Sequence, residues 1–299
     1  MEETFDFGNE DLDNLIVKDK EYYAKRRKKC LLIWIPILLV IILAIVLYLV
    51  LRPKPDNKII CQYETLTDDE NVILINIDDN IDFTLIIDDV KYDKKKSHNF
   101  QKAGKHKVIF DFKKKLNSLE SLFEGNEYLI DADFTKLQTE NIKSMENLFK
   151  DCLNLENVNF DNNTPNLINT RNMFFRCNLL KEVKTNFDTS KVERMDFMFY
   201  GCVSFFSLDI SGFNLENLKN STAMFANCIN LKEIIFNNYT ITKNLESMES
   251  MFSLCESLEN INTKIFKENK LRNLNEVFYN CTSLIEIDLS YFETTYIYD

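Results

Sequence analysis

One unit recurs seven times between residue 119 and the end of the chain, and it limits the possible folds more than any other feature. Each copy contains an apolar residue, two variable positions, a second apolar residue and Phe, usually with Cys three positions later. The phenylalanines lie 25 to 27 residues apart and define the register: Phe123, Phe149, Phe174, Phe199, Phe225, Phe252 and Phe278. Spacing this regular predicts stacked repeats that bury their apolar sides against one another.

The fourth copy indicates how each unit should fold. Met195, Met198 and Phe199 have the i, i+3, i+4 spacing of one helix face, whereas Leu208 and Ile210 alternate as in a strand. We therefore predict a short helix and a short parallel strand in every repeat. The expected fold class is an α/β repeat solenoid with a parallel sheet along one side.

Several stretches of these repeats resemble the BspA-like leucine-rich-repeat surface proteins, whose unit reads roughly M-S-x-M-F-x-x-C-x-S-L-x-x-L-D-L-S-x-F-D-T-S-x-V. The matching stretches are MDFMFYGCVSFFSLDISGF at 195–213, FDTSKV at 187–192, MESMFSLCESL at 248–258 and CTSLIEIDLSYFET at 281–294. The first copy departs from the pattern, with Asn126 in place of Cys. The resemblance implies a leucine-rich-repeat fold and an association with cell surfaces, adhesion and contact between cells.

A transmembrane helix is predicted at residues 31–51, an uncharged run of 21 residues. At a rise of about 1.5 Å per residue the run would span about 30 Å, the thickness of the hydrocarbon core. Five basic residues directly precede it: Lys25, Arg26, Arg27, Lys28 and Lys29. Because positive charge is retained in the cytoplasm, we expect an acidic cytoplasmic tail at 1–30 and a single-pass type II topology. The repeats would then face the cell exterior or a lumen, and Cys30 is a candidate for palmitoylation.

Between the apolar run and the repeats lie a linker at 52–58 and a β-rich segment at 59–115. The segment contains the strand-like runs IICQYE, NVILINI, DFTLIIDDVKY and KHKVIFDF, separated by charged turns. We predict a small antiparallel β domain that covers the open edge of the first repeat. The repeat solenoid itself is expected at 116–299.

Six of the eight cysteines share one repeat position: Cys152, Cys177, Cys202, Cys228, Cys255 and Cys281. In an oxidising compartment they would suffice for three disulfides. Helices of adjacent repeats, however, should pack about 8–10 Å apart, beyond the usual reach of a disulfide. A column of buried thiols is the favoured interpretation, and zinc is disfavoured because no close cysteine pair exists.

No residues suggest catalysis, a cofactor or a metal ion. The acidic run at 78–82 lacks the glycine and the distant glutamate of a calcium-binding EF-hand loop. His98 and His106 are the only histidines, and no nucleophile motif accompanies them. A net charge of −11 disfavours nucleic acid as a partner, because phosphate binding requires clustered Lys and Arg.

The sequence therefore predicts a membrane-anchored, non-enzymatic surface protein whose repeats bind a macromolecule on another cell or in the surrounding matrix. A long, regular surface with variable positions suits protein recognition or adhesion. The alternative is a structural coat component that associates laterally through its open edge. Candidate N-glycosylation sites are Asn162, Asn220 and Asn238, each of which begins an N-x-S/T sequence.

Overall fold

The described residues of the chain, seen in a computed structural model, are 56–160, 164–185, 188–237, 241–267 and 269–292. They belong to one compact unit, Pro55–Asp299. They contain one short 3-10 helix, Thr263–Phe266, and no α-helix. The strands are β1 (Lys58–Thr65), β2 (Glu70–Ile73), β3 (Phe83–Ile87), β4 (Val90–Tyr92), β5 (Ser97–Phe100), β6 (Gly104–Phe112), β7 (Leu129–Asp133), β8 (Asn157–Phe160), β9 (Glu182–Thr185), β10 (Ser207–Asp209) and β11 (Glu233–Ile235).

Strands β1 to β6 pair antiparallel. Every second residue of β1, including Ile59, Cys61 and Tyr63, is buried, as expected of a strand with one face on the core. β1 pairs with β6 along its whole length, β3 pairs with β6 and β4, and β2 and β5 form a separate two-stranded sheet. These strands form the amino-terminal part of the described chain.

The first repeat continues directly from this antiparallel part. β1 pairs antiparallel with β7, and β8 and β9 then follow β7 in parallel, which gives a seven-stranded mixed sheet of order β4-β3-β6-β1-β7-β8-β9. Asn76 covers part of the remaining edge: its backbone N–H donates to the Leu122 carbonyl at 2.8 Å, and its Nδ2 donates to the Glu124 carbonyl at 3.1 Å. Backbone groups that would otherwise be left unpaired at the start of the repeats are thus satisfied.

The segment that leads into and past each repeat phenylalanine is a chain of tight turns. Within the second repeat, Leu148 donates to the Met145 carbonyl and Cys152 donates to the Phe149 carbonyl, which are i to i−3 bonds. Two residues per repeat have a left-handed backbone, with φ between 51° and 71°. They lie two positions before the phenylalanine and two positions after it: Ser121, Asn147, Asn172, Phe197, Ala223, Ser250 and Glu276, and Gly125, Asp151, Arg176, Gly201, Asn227, Leu254 and Asn280.

Amide groups between these turn bonds point to the next repeat. Phe149 donates to the Met173 carbonyl at 2.9 Å, and Asp151 donates to the Phe175 carbonyl at 2.8 Å. A line of parallel bridges joins the same position in six repeats: Ser144, Asn169, Arg194, Asn220, Ser247 and Asn273. Residues 119–292, which we call the repeat stack, are therefore held together by backbone hydrogen bonds along their length.

The predicted α/β solenoid with a helix in every repeat is wrong. A right-handed α-helix needs i to i−4 hydrogen bonds and excludes left-handed residues, because each would cost about 1–2 kcal/mol. The expected helical segments instead have left-handed residues at regular intervals and donate hydrogen bonds between repeats. The chain that the structure describes is almost entirely strand and turn.

The predicted membrane anchor also requires correction. In the described ranges no helix is long and apolar enough to cross a membrane. The proposed transmembrane residues 31–51 lie outside those ranges, together with the tail at 1–30. The predicted membrane-anchored architecture therefore rests on no element that the structure describes. The same holds for the predicted localisation, with the repeats outside the cell or in a lumen.

Candidate recognition surface

One phenylalanine per repeat occupies the interior of the repeat stack. Adjacent rings are 5.5–5.8 Å apart between centroids and within 10° of parallel, from Phe123 through to Phe278. The first six are fully buried, and Phe278 is partly buried against the same core. This column is structural, since its rings contact one another rather than solvent.

The repeat cysteines are free thiols that bond to the backbone. Each Sγ donates to the carbonyl of the preceding repeat's phenylalanine at 2.9–3.1 Å, as Cys202 does to Phe174. The argument from helix spacing does not apply, because the described repeats contain no α-helix and neighbouring rings are under 6 Å apart. Burial raises the pKa of the Cys152 thiol to about 12 and that of the half-buried Cys281 thiol to about 11.

The surface of the stack offers an internal comparison, because each outward position occurs once in every repeat. The residue two positions before each phenylalanine forms what we call the left-handed column. It is Ser, Asn, Ala or Glu in six repeats and Phe197 in the fourth. A left-handed backbone suits Asn and small residues, whereas a bulky residue there is an outlier. Phe197 is therefore the exception in its column.

The residue directly after each phenylalanine forms the outer column, and it is aromatic in repeats 3, 4 and 7. Phe175 and Tyr200 stack face to face in this column, with centroids 4.8 Å apart and ring planes 8° apart. Phe197 packs beside both, 6.4 Å from Phe175 and 6.1 Å from Tyr200. All three side chains are partly exposed. We call Phe175, Phe197 and Tyr200 the aromatic patch.

The two repeats that form the aromatic patch also contain three arginines. Of the seven arginines in the chain, Arg171, Arg176 and Arg194 belong to repeats 3 and 4. Their partners are Glu146 at 3.4 Å, Asp151 at 3.1 Å and Asp196 at 2.9 Å, respectively. Arginine and aromatic residues are enriched at the cores of protein interfaces, where Lys and Glu are depleted. The composition of this surface therefore differs from the rest of an acidic chain.

Gly201 allows Arg176 to lie beside the aromatic patch. Its φ of +71° favours glycine, and a β-carbon there would lie 3.3 Å from Arg176 Cγ. The neighbouring repeats have Arg176 and Asn227 at the same position. Glycine at this one place thus gives the arginine stem room next to Tyr200.

A third column departs from its pattern in the same repeat. This column is the position four residues after each repeat cysteine. In it, Phe206 lies between two ion pairs, Lys181–Glu156 (2.7 Å) and Lys232–Glu259 (2.8 Å). Phe206 is 65% exposed. A single exposed phenylalanine is ordinary on a protein surface. Phe206 lies in the repeat that also contains Phe197, so repeat 4 has two aromatic side chains at least partly exposed at these positions.

The structure brings none of the other predicted sites together. Lys25, Arg26, Arg27, Lys28, Lys29 and Cys30 lie outside the described residues, as do Asn162 and Asn238. Asn220 is half-buried in the line of bridges, and its Oδ1 accepts from the Thr222 amide at 2.9 Å. Glycosylation at Asn220 remains a prediction.

Polar groups of the amino-terminal strands have mainly structural partners. His106 Nδ1 contacts Asp88 at 2.8 Å, and its Nε2 faces the Lys102 carbonyl at 3.0 Å. Asp79, in the acidic turn, pairs with Lys96 at 2.7 Å. Among the described residues no group of three or more His, Cys, Asp or Glu is arranged to hold a metal ion.

Sequence reasoning missed the aromatic patch, although a signal for it was present. Aligning the seven copies on their phenylalanines shows Phe197 in a column of small and polar residues. That departure was not recognised because the segment was interpreted as a helix, in which position 197 has no special backbone requirement. The left-handed column became visible only with the backbone geometry.

Comparison with known proteins identifies a family but no activity. Residues 117–239 and 209–299 match the family described as "Mycoplasma protein of unknown function, DUF285", and together these ranges cover more than half of the chain. No curated protein and no solved structure matches the chain. The matched region coincides with the repeat stack.

Proposed function

The chain belongs to the DUF285 family of Mycoplasma proteins of unknown function, and we propose that it is a protein-recognition module that binds its partner through the aromatic patch. The observation that carries this proposal is Phe197. A bulky residue in a left-handed conformation costs about 1–2 kcal/mol, and such outliers concentrate at functional sites. At this position the other six repeats have Ser, Asn, Ala or Glu, none of which is aromatic.

The surroundings of Phe197 support the same proposal. Partly exposed aromatic rings form one continuous area over two repeats, and Arg176 directly follows Phe175 in the chain. Residues of these types supply most of the binding energy in protein interfaces. The resemblance of the repeats to BspA-like surface proteins, which are associated with adhesion, is consistent with a binding role.

Site-specific photo-crosslinking tests the proposal with two tyrosines of the same column. Tyr200 in repeat 4 and Tyr279 in repeat 7 both directly follow the repeat phenylalanine. Each is replaced, in separate full-length chains, by a benzophenone amino acid, and the chains are irradiated in extract from the source cells. We expect a discrete heterologous adduct from position 200 only, and its loss when Phe197→Asn is added. Equal adducts at both positions, or none at position 200, would contradict recognition through the patch.

Self-association is the second candidate, because the last described repeat exposes apolar side chains. Tyr279 is 59% exposed, Ile285 95% and Leu289 57%. Exposed apolar side chains of this kind occur at association sites. The same crosslinking experiment separates the two functions, since a coat component would form adducts with a second copy of itself at position 279. Sedimentation velocity at increasing concentration, with Ile285→Lys as the control variant, then measures the association.

A catalytic role is not proposed. His106 is held between a carboxylate and a backbone carbonyl, so neither ring nitrogen faces a nucleophile at short range. The Thr65 hydroxyl, 3.5 Å from Nε2, is buried and lies farther away than the carbonyl. Turnover of a substrate that depends on His106 would overturn this view.

A further inference from the structure

The orientation of the rings in the aromatic patch limits what can bind there. Phe175 and Tyr200 stack along the direction in which the repeats follow one another, so each uses a face against the other. Their ring edges therefore point outward. Phe197 meets both rings at steep angles, 63° and 58°. Ring edges carry partial positive charge and attract oxygen acceptors or the face of another aromatic ring.

The arginines of repeats 3 and 4 have more N–H donors than their ion pairs use. A guanidinium group carries five N–H donors. In the described residues, Arg176 contacts Asp151 through Nη1 only, and Arg194 contacts Asp196 through Nε only. Arg176 is also accessible, because about half of its side chain is exposed. Each group retains the geometry to take a further carboxylate, and such charge-assisted bonds are among the strongest polar contacts.

Both features select the same chemistry. The outward ring edges and the unused guanidinium donors attract carboxylates and aromatic ring faces, whereas a lysine-rich segment would be repelled by the arginines. Sugar binding by aromatic residues uses exposed ring faces, and the stacking of Phe175 on Tyr200 covers one face of each ring. The whole chain has a net charge of −11 and seven arginines, three of which belong to repeats 3 and 4.

We infer, on the premise of the proposed function, that the aromatic patch binds a protein segment in which carboxylate side chains flank an aromatic one. The partner's ring would lie with its face on the outward edges of the patch. Its carboxylates would bond to the free donors of Arg176 and Arg194. The patch would thus be specific for an acidic, aromatic peptide.

Four short fluorescein-labelled peptides with a Gly-Ser background test the inference by fluorescence anisotropy on the full chain. Their central residues are Glu-Trp-Glu, Gln-Trp-Gln, Lys-Trp-Lys and Glu-Ala-Glu. We expect Glu-Trp-Glu to bind about tenfold more tightly than Gln-Trp-Gln, because a hydrogen bond to a charged group is stronger than one to a neutral amide. Lys-Trp-Lys and Glu-Ala-Glu should bind more weakly than either of the other two.

Two arginine variants provide the matched comparison. Arg176→Gln removes the partner of Asp151, and the variant should still fold because the Asp151 side chain is partly exposed. Arg272→Gln changes an arginine of repeat 7 and is the matched control. Arg176→Gln should remove most of the preference for Glu-Trp-Glu over Gln-Trp-Gln, and Arg272→Gln should leave it unchanged. Arg176→Lys, which keeps the charge but not the planar fork, should restore it only in part.

The outcomes separate this inference from the proposed function. If Glu-Trp-Glu and Gln-Trp-Gln bind equally and Phe197→Asn abolishes the binding of both, the inference that the partner is acidic would be overturned. Recognition through the patch would remain intact. Failure of all four peptides would overturn the inference, as would glycan-array binding that depends on Phe197. If no adduct forms at position 200 either, the proposed function fails with it.

Discussion

Phe197→Asn is the substitution that distinguishes a recognition surface from a packing feature. It gives repeat 4 the residue that the left-handed column already has in repeats 2 and 3, Asn147 and Asn172. Asn172 Nδ2 donates to Asn147 Oδ1 at 2.8 Å, so these amides already form the start of a ladder. The new amide would stand next to Asn172 and extend this ladder by one hydrogen bond.

The effect on stability follows from terms of opposite sign. Removing a largely buried phenylalanine ring costs about 1.5–3 kcal/mol of apolar burial. Relief of the left-handed strain returns about 1–2 kcal/mol, and the added amide hydrogen bond about 0.5–1.5 kcal/mol. The midpoints of these ranges nearly cancel, so the free energy of unfolding should stay close to the wild-type value, within about 2 kcal/mol.

The assay combines urea denaturation, followed by far-ultraviolet circular dichroism, with the crosslinking yield at position 200. We expect unchanged stability together with loss of the adduct. Ser250→Ala, a change at a partly exposed position of the same column in repeat 6, is the control and should affect neither. Destabilisation of about 3 kcal/mol or more would mean that Phe197 is a core residue. A retained adduct at full stability would mean that the ring does not contribute to recognition.

Three further predictions concern the core and the ionisable groups. Phe199→Ala should lower the free energy of unfolding by about 3–5 kcal/mol, measured by urea denaturation, because this is the usual cost of deleting a buried phenylalanine. A loss below about 1 kcal/mol would contradict the stacked column. Cys281 has a pKa of about 11, whereas Cys152 has a pKa of about 12 and is completely buried. In alkylation at alkaline pH followed by mass spectrometry, Cys281 should therefore react before Cys152. The opposite order would be incompatible with the described burial. Burial, and the Lys95 ammonium 2.7 Å from Nδ1, lower the pKa of His98 below its usual 6.5, so the unfolded chain takes up the proton first as the pH falls. The free energy of unfolding should therefore decrease as the pH drops under about 6.5, and it should decrease less in His98→Gln. Denaturation at about pH 7.5 and about pH 5.5 measures this difference, and equal acid sensitivity of the two chains would refute it.

The error in the predicted fold class has a specific cause. Met195, Met198, Phe199 and Cys202 are all fully buried, as a helix face with i, i+3, i+4 and i+7 spacing would be. A chain of i to i−3 turns buries residues at these same intervals, so periodicity cannot separate the two conformations. Only the hydrogen-bond partners separate them: a helix bonds within itself, whereas these amides alternate between their own turn and the next repeat.

The candidate site was only partly accessible to sequence reasoning. Arg176 and Tyr200 occupy positions that look like variable surface positions in the repeat. Their proximity to Phe197 depends on the inter-repeat distance, which the sequence does not contain. With helices about 8–10 Å apart, rings at equivalent positions would not stack; the observed 4.8 Å separation makes Phe175 and Tyr200 one surface.

The sequence by itself determined the register of the repeats and the composition of the core, because apolar side chains must be buried and a period of 25 to 27 residues brings equivalent side chains together. It also contained the alternation that makes β1 a strand with one buried face. Only the tertiary structure decided the backbone of the repeats, since amides that bond between repeats allow left-handed residues that a helix excludes. That choice places Phe197 against Phe175 and Tyr200, and it creates the surface from which a function can be proposed.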